Sequence, residues 1–422
     1  MHFTDFGLHP RVASGIGVAG YENPTPIQEK AIPLMMAGRD VMGLAQTGTG
    51  KTAAFALPIL HHLVRGRRGR VRALVVAPTR ELAEQIHDTF RTLGRATGLR
   101  SATVYGGVGM NPQIQALGGR AEIIVACPGR LLDHLQQSNA DLSSVEILVL
   151  DEADHMFDMG FLPDVRRILR QLPSERQTLM FSATMPPDIR SLARDALRDS
   201  TIVQIGHIAP AETVSHAIYP VEQHQKTAII KHLLGQFDPQ ATLVFTRTKH
   251  GAKRLAQQLD RVGHLAVSLQ GNMSQNKRQQ ALDGFRQGRY RILVATDIAA
   301  RGIDVIRVSH VVNYDMPTTA DAYTHRIGRT GRAERKGEAL SLITRDDEDM
   351  VRTIERMLGK PLRRVRAEGF DYRAPDPDSR GPTEFARSPR PQRGRGAPLV
   401  QNGSSRKGGA RQRHRSRRGR RG

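Results

Sequence analysis

The segment Ala45-Gln46-Thr47-Gly48-Thr49-Gly50-Lys51-Thr52 constrains the fold of this 422-residue chain more than any other. It follows a short apolar run, Asp40–Ala45, and precedes a helical stretch. Glycines let backbone N–H groups curl around phosphate oxygens, and the N-terminus of the following helix adds partial positive charge. In such a loop Lys51 reaches β/γ-phosphates and the Thr52 hydroxyl binds Mg²⁺. Ala45 stands where the common pattern has its first Gly.

Short apolar runs recur along the rest of the chain. They are Ala73–Ala77, Ile123–Ala126, Ile147–Leu150 and Thr178–Phe181, then Thr242–Phe245, Arg291–Ala295, Val308–Val312 and Ala339–Ile343. Continuous apolar strands separated by longer amphipathic stretches predict parallel sheets covered by helices on both faces. Two α/β domains are expected, 1–205 and 214–368, joined by a Gly- and Pro-containing linker at 206–213. From 369 onward Pro, Gly, Ser and Arg dominate, and 386–422 holds twelve Arg and one Lys against no acid. A segment that buries so little apolar surface cannot offset its chain entropy, so 369–422 is expected to be a disordered basic tail.

A phosphate-binding loop also needs a carboxylate at a nearby strand end. Ile147–Leu150 is followed by Asp151-Glu152-Ala153-Asp154, which supplies Asp151 for the metal and Glu152 to orient and deprotonate a water. The 63 Lys+Arg against 41 Asp+Glu leave +22, pointing to a polyanion, most often nucleic acid. No apolar run reaches the ~18 residues of a membrane span, and no signal-peptide pattern opens the chain. The single Cys127 excludes an internal disulfide and a multi-cysteine zinc site. A cytoplasmic protein with no membrane partner is expected.

The string Asp151-Glu152-Ala153-Asp154 resembles the defining motif of DEAD-box RNA helicases, and the likeness runs from Phe3 to about Val365. The layout is most similar to the bacterial RhlE-type group. Gly20-Tyr21-Glu22-Asn23-Pro24-Thr25-Pro26-Ile27-Gln28, with Phe3 upstream, resembles the adenine-reading motif of that family. Pro78-Thr79-Arg80-Glu81-Leu82, Gly106-Gly107 and Pro128-Gly129-Arg130 resemble its first-domain RNA contacts. Thr246-Arg247 and Gln270-Gly271 resemble those of the second. Ser182-Ala183-Thr184 is similar to the motif coupling hydrolysis to unwinding, in which Asp154 and His325 also take part. Thr296 and Asp304 belong to a stretch similar to one touching RNA and nucleotide. His325 to Arg332 resembles the arginine-finger motif, with Arg329 and Arg332 as fingers. Cys127 replaces the usual Thr, which puts one hydroxyl contact in doubt.

The resemblance implies two RecA-like domains, ATP and Mg²⁺ as cofactors, and RNA as partner, with the closed form bending one RNA strand to destabilise a short duplex locally and hydrolysis reopening the clamp. Some of this is readable from the residues themselves. Gln28 carries donor and acceptor for an adenine edge, and Tyr21 can stack on a base. Arg329 and Arg332 point the same way if their stretch is helical, and a guanidinium fork suits a γ-phosphate. The phosphate loop and acids lie in the first half and the fingers in the second, so only a closed two-domain clamp completes the site. A DNA translocase and a non-catalytic RNA-binding module are the competing classes.

Overall fold

The computed structural model describes residues 1–45, 48–205, 214–236, 241–300, 308–331 and 337–374. The first half is built on strands β1 (Val41–Leu44), β2 (Ala73–Val76), β3 (Ser101–Val104), β4 (Ile123–Ala126), β5 (Ile147–Leu150), β6 (Gln177–Ser182) and β7 (Thr201–Gln204). The second is built on β8 (Val214–Pro220), β9 (Thr242–Phe245), β10 (Ala266–Leu269), β11 (Ile292–Ala295), β12 (His310–Asn313), β13 (Gly337–Ile343) and β14 (Arg363–Arg364). The sheets run β3-β4-β2-β5-β6-β1-β7 and β10-β11-β9-β12-β13-β8-β14, every described pairing parallel. With β8 counted as the first strand of its half, the two orders are the same. Two tandem RecA-like α/β domains result.

The continuous apolar strands have a direct cause. Alternate residues point to opposite faces, so a sheet with helices on both sides needs both sets apolar. Val75, Val125, Val149 and Phe181 enter one core, while their neighbours Leu74, Val76, Ile124, Leu148, Leu150 and Met180 enter another. In the second half, Val244, Val294 and Val312 face one core, and Leu243, Phe245, Leu293 and Val311 the other. Each such side chain, fully buried, contributes roughly 1.5–3 kcal/mol. Parallel strands also send all their carboxyl ends to one edge, where ligands of open α/β sheets bind.

Two expectations are corrected. The helix Ala320–Ile327 ends at Gly328, so Arg329 lies in the turn beyond it and not on a helix face. Folded packing also continues past the expected boundary at Glu368. The Phe370 and Tyr372 rings meet edge-on at 4.9 Å against the second-half core, and Gln225 donates to the Tyr372 carbonyl at 2.8 Å. One aromatic pair anchors a stretch that composition assigned to the tail. The rest of the tail (375–422), the linker (206–213), Gln46, Thr47, Asp304 and Arg332 lie outside the described residues.

Candidate active site and nucleic-acid interface

The phosphate loop sits between β1 and the helix Lys51–Val64. Gly50 caps that helix with φ 93°, in the left-handed region. A Cβ there would lie 2.6 Å from Gln28 Nε2 and 2.8 Å from Thr25 Oγ1, so backbone conformation and space both require glycine. Lys51 is buried, and its Nζ donates to the Ala45 carbonyl at 2.9 Å, drawing the two ends of the loop together. Thr49 and Gly48 complete the described part, and Thr52 sits in the first helical turn.

Gln28 is buried. Its Oε1 accepts from Thr25 N at 2.9 Å, and its Nε2 donates to the Gly50 carbonyl at 3.1 Å. One lone pair and one N–H remain beyond these two bonds. Tyr21 is partly exposed, and its ring lies nearly parallel to the buried Phe3 ring (6.2 Å, 22°). The N-terminal Phe3–Phe6 turn is thereby tied to the segment that precedes Gln28.

Asp151 and Glu152 follow the tip of β5 and are both buried. Burial pushes the Asp151 carboxyl up to about 6, against the pull of the Lys51 ammonium. Burial would raise Glu152 as well, but the His155 imidazole, with Lys51 and Arg329 beyond it, holds that carboxyl well below the usual carboxylate range. Asp154 Oδ2 accepts from Ala183 N and Thr184 N, both at 3.1 Å, and from Thr184 Oγ1 at 3.3 Å. Ser182 donates through Oγ to the Thr184 carbonyl at 2.7 Å, which fixes the turn after β6. Asp154 is thus tied to the Ser182-Ala183-Thr184 segment, as expected of coupled residues.

The second half reaches this cluster directly. His325 Nε2 lies 3.8 Å from Asp154 Oδ2. Burial first, then the neighbouring His155, lowers the His325 pKa. Arg329 is buried and close enough to lower the Glu152 pKa. Arg326, between them, has a structural task. Its guanidinium is bidentate to Asp297 (2.6 and 2.7 Å), donates to Asn313 Oδ1 and the Asp315 carbonyl, and lies 4.9 Å over the Phe245 ring.

The remaining sequence candidates line the same strand ends. Pro78 and Arg80 follow β2, Gly106 and Gly107 follow β3, and Pro128, Gly129 and Arg130 follow β4. Thr246 and Arg247 follow β9, Gln270 and Gly271 follow β10, and Thr296 follows β11. The Arg80 guanidinium packs over Gly107, at φ 79°, where a side chain would collide with it. Arg130 donates to the Val108 carbonyl at 3.1 Å, and Gln113 holds the same turn through both the N–H and the carbonyl of Tyr105. Cys127 sits at the N-cap of the helix Pro128–Gln136 without a side-chain cap bond. Burial raises its thiol to about 12, so it stays a thiol.

Four residues in contact with the candidate site escaped the sequence reading. Arg278 donates to Glu81 Oε1 at 2.7 Å through Nε, with a second nitrogen at 2.6 Å, and Gln275 accepts from Arg80 at 3.3 Å. Both pairs cross from one half to the other. Gln113 and His155 are the other two. The signals were a Gln and an Arg three apart at a helix start, an amide near a Gly-Gly turn, and a histidine beside paired acids.

Residues 25–192 match the DEAD/DEAH box helicase family, and residues 225–334 match the helicase conserved C-terminal domain. The chain is 40% identical over 370 residues to the ATP-dependent RNA helicase CshA of Listeria monocytogenes, covering 87% of this chain and 71% of that protein. It is 44% identical over 346 residues to the DEAD-box ATP-dependent RNA helicase RhpA of Helicobacter pylori, covering 81% and 69%. Dbp5 of S. cerevisiae bound to RNA and ADP BeF3 superposes with a TM-score of 0.79 at 32% identity, over 86% of this chain and 95% of that one. With dbp5 bound to nup159, gle1, ip6 and ADP the TM-score is 0.61 over 86% and 96%, at 31% identity. With both domain families matched in order and a relative covered over more than two thirds of its length, the chain belongs to the DEAD-box family of ATP-dependent RNA helicases.

Proposed function

We propose that this chain hydrolyses ATP under stimulation by RNA, clamping single-stranded RNA between its halves and opening short duplexes locally. The approach of His325 to Asp154 across the two halves, at 3.8 Å, with Arg329 buried in the turn beyond the helix that bears His325, carries this reading. In it, Lys51 and the loop 45–52 hold the phosphates, Glu152 accepts the proton of the attacking water, and Arg329 steadies charge developing on the γ-phosphate. Arg332 and Asp304 keep their expected roles as second finger and nucleotide contact. Asp154, Ser182, Thr184 and His325 couple this site to closure. Arg80, Arg130, Arg247 and the strand-end residues beside them contact RNA.

Mg²⁺ belongs to the same proposal. One buried carboxylate whose proton affinity burial has raised, Asp151, and one hydroxyl, Thr52, give few and hard oxygen donors. That suits an ion that keeps several waters and shares phosphate oxygens. When bound, it would neutralise charge on the β- and γ-phosphates. Placement in the RhlE-type group rests on motif layout, and a cytoplasmic location belongs to the same proposal. Among the described residues no helix is long and apolar enough to cross a membrane.

Turnover measured with RNA and DNA in parallel, on the native chain and Glu152→Gln, tests the proposal. The amide nearly matches the carboxylate in shape but cannot take the proton. Turnover should fall about 10²–10⁴-fold while ATP and RNA binding persist. Near-normal turnover removes Glu152 from the mechanism, and equal stimulation by DNA favours a DNA translocase.

A further inference from the structure

The carboxylate of Glu152 is held by more than its strand tip. Glu152 caps the helix Ala153–Asp158 with φ 50° and ψ 53°, a left-handed conformation that a non-glycine residue keeps only where its surroundings enforce it. Its Oε2 lies 2.7 Å from Nδ1 of His155, and both side chains are buried. An ionised carboxylate only accepts, so Nδ1 carries the hydrogen of this bond. The His155 ring then meets the second half. It stands edge-on to His325 with centroids 5.2 Å apart and planes at 86°. Together with His325, Arg326 and Arg329 it borders a void of about 20 Å³ at the seam.

We propose that His155 is a positioning residue for hydrolysis: its Nδ1–H orients the Glu152 carboxylate, and its packing against His325 makes that orientation depend on closure of the two halves. This rests on the assignment of Glu152 as the base. The terminal torsion of a glutamate has a broad minimum, so the carboxylate's orientation is set by the groups bonded to it and not by the strand tip. Misplacing a reacting group by about 1 Å can cost about 10²-fold in rate. His155 supplies one such constraint, and its ring is bounded on one side by His325 of the helix Ala320–Ile327. A histidine with a purely structural task would sit inside one half's core. This one lies between the base and the other half. Asp154, its neighbour in sequence, spends its Oδ2 on Ala183 and Thr184 and meets His155 through the backbone N–H (Oδ1, 3.1 Å), so the ring nitrogen Nδ1 is left to Glu152.

Two amide replacements separate orientation from bulk. Asparagine places an N–H near the Nδ1 position, and glutamine places one near Nε2. Leucine keeps volume without a donor. In the full chain at saturating ATP and RNA, His155→Leu should lower kcat by about 10–100-fold, the usual cost of losing a group that orients a reacting one. KM and Kd for ATP should stay within about twofold, because the lost interaction serves the reaction and not nucleotide binding. His155→Asn should recover most of the rate, and His155→Gln should not. This contrast stands even where the leucine variant does not fold. Leucine at both 155 and 325 should be no slower than the slower single variant, since both act through one chain of contacts. Native kcat in His155→Leu with Glu152→Gln inactive overturns the proposal and leaves the base assignment intact. Equal loss in the Asn and Gln variants with normal ATP binding overturns the role of Nδ1, and additive losses in the double variant overturn the link to His325. Retained turnover in Glu152→Gln removes the base assignment itself, a separate failure.

Discussion

Gln28 does two jobs with one amide. Its bond from Thr25 N closes a capping box at the start of the helix Pro26–Met36, and its bond to Gly50 ties that helix to the phosphate loop. Removing it therefore weakens a helix cap, worth about 1 kcal/mol, as well as any contact to a base. Nucleotide selectivity separates the two effects, since a lost cap lowers affinity for ATP and GTP alike. In Gln28→Ala, ATP affinity should drop by roughly 1–3 kcal/mol and discrimination against GTP should shrink. Equal losses for both nucleotides would place base recognition elsewhere. Gly50 shows the same economy, because its neighbours Gln28 and Thr25 leave no room for a side chain.

Among the elements, the central strands β1, β2, β4, β5, β6, β9, β11, β12 and β13 were legible because burial on both faces makes them continuously apolar. β3, β7, β8, β10 and β14 were not, since they stand at or near sheet margins and expose part of their length. The site was legible to the same degree and for a related reason. Motifs at strand tips are local in sequence, so Lys51, Asp151 and Glu152 declare themselves. A pair such as Glu81 and Arg278 is separated by 197 positions, and no local pattern announces it. That pair joins the starts of the helices Arg80–Leu93 and Gln275–Arg286 and is largely buried. Removing one member leaves the other charge without its partner, a cost of about 2 kcal/mol or more. Arg278→Ala should therefore weaken RNA binding in the presence of a non-hydrolysable ATP analogue by roughly thirtyfold. ATP binding in the absence of RNA should hold. An unchanged RNA affinity would show that the bridge does not hold the halves together.

For the whole molecule, charge and architecture are distributed unequally. Residues 386–422 carry +13, from twelve Arg and one Lys, and no Phe, Tyr or Trp. Contacts from such a segment are with phosphates and carry little sequence information. Each phosphate neutralised on single-stranded RNA contributes about −0.7 to the slope of log K against log salt. With four to six cations engaged, ending the chain at Phe385 should flatten that slope by about 3–4 units. Turnover at saturating RNA should barely change. An unaltered slope would show that these residues do not hold RNA. The shared strand order of the two halves has a further consequence. β1 leads into the glycine loop, whereas β8 leads into Val221-Glu222-Gln223, which has no glycine and no Gly-Lys pair. Two copies of one architecture thus share a single fuel port. A walker needs one grip to hold while another advances, but under the proposed clamp both halves would let go on the same chemical event. Such a molecule would be a timer, with one ATP setting how long one grip lasts.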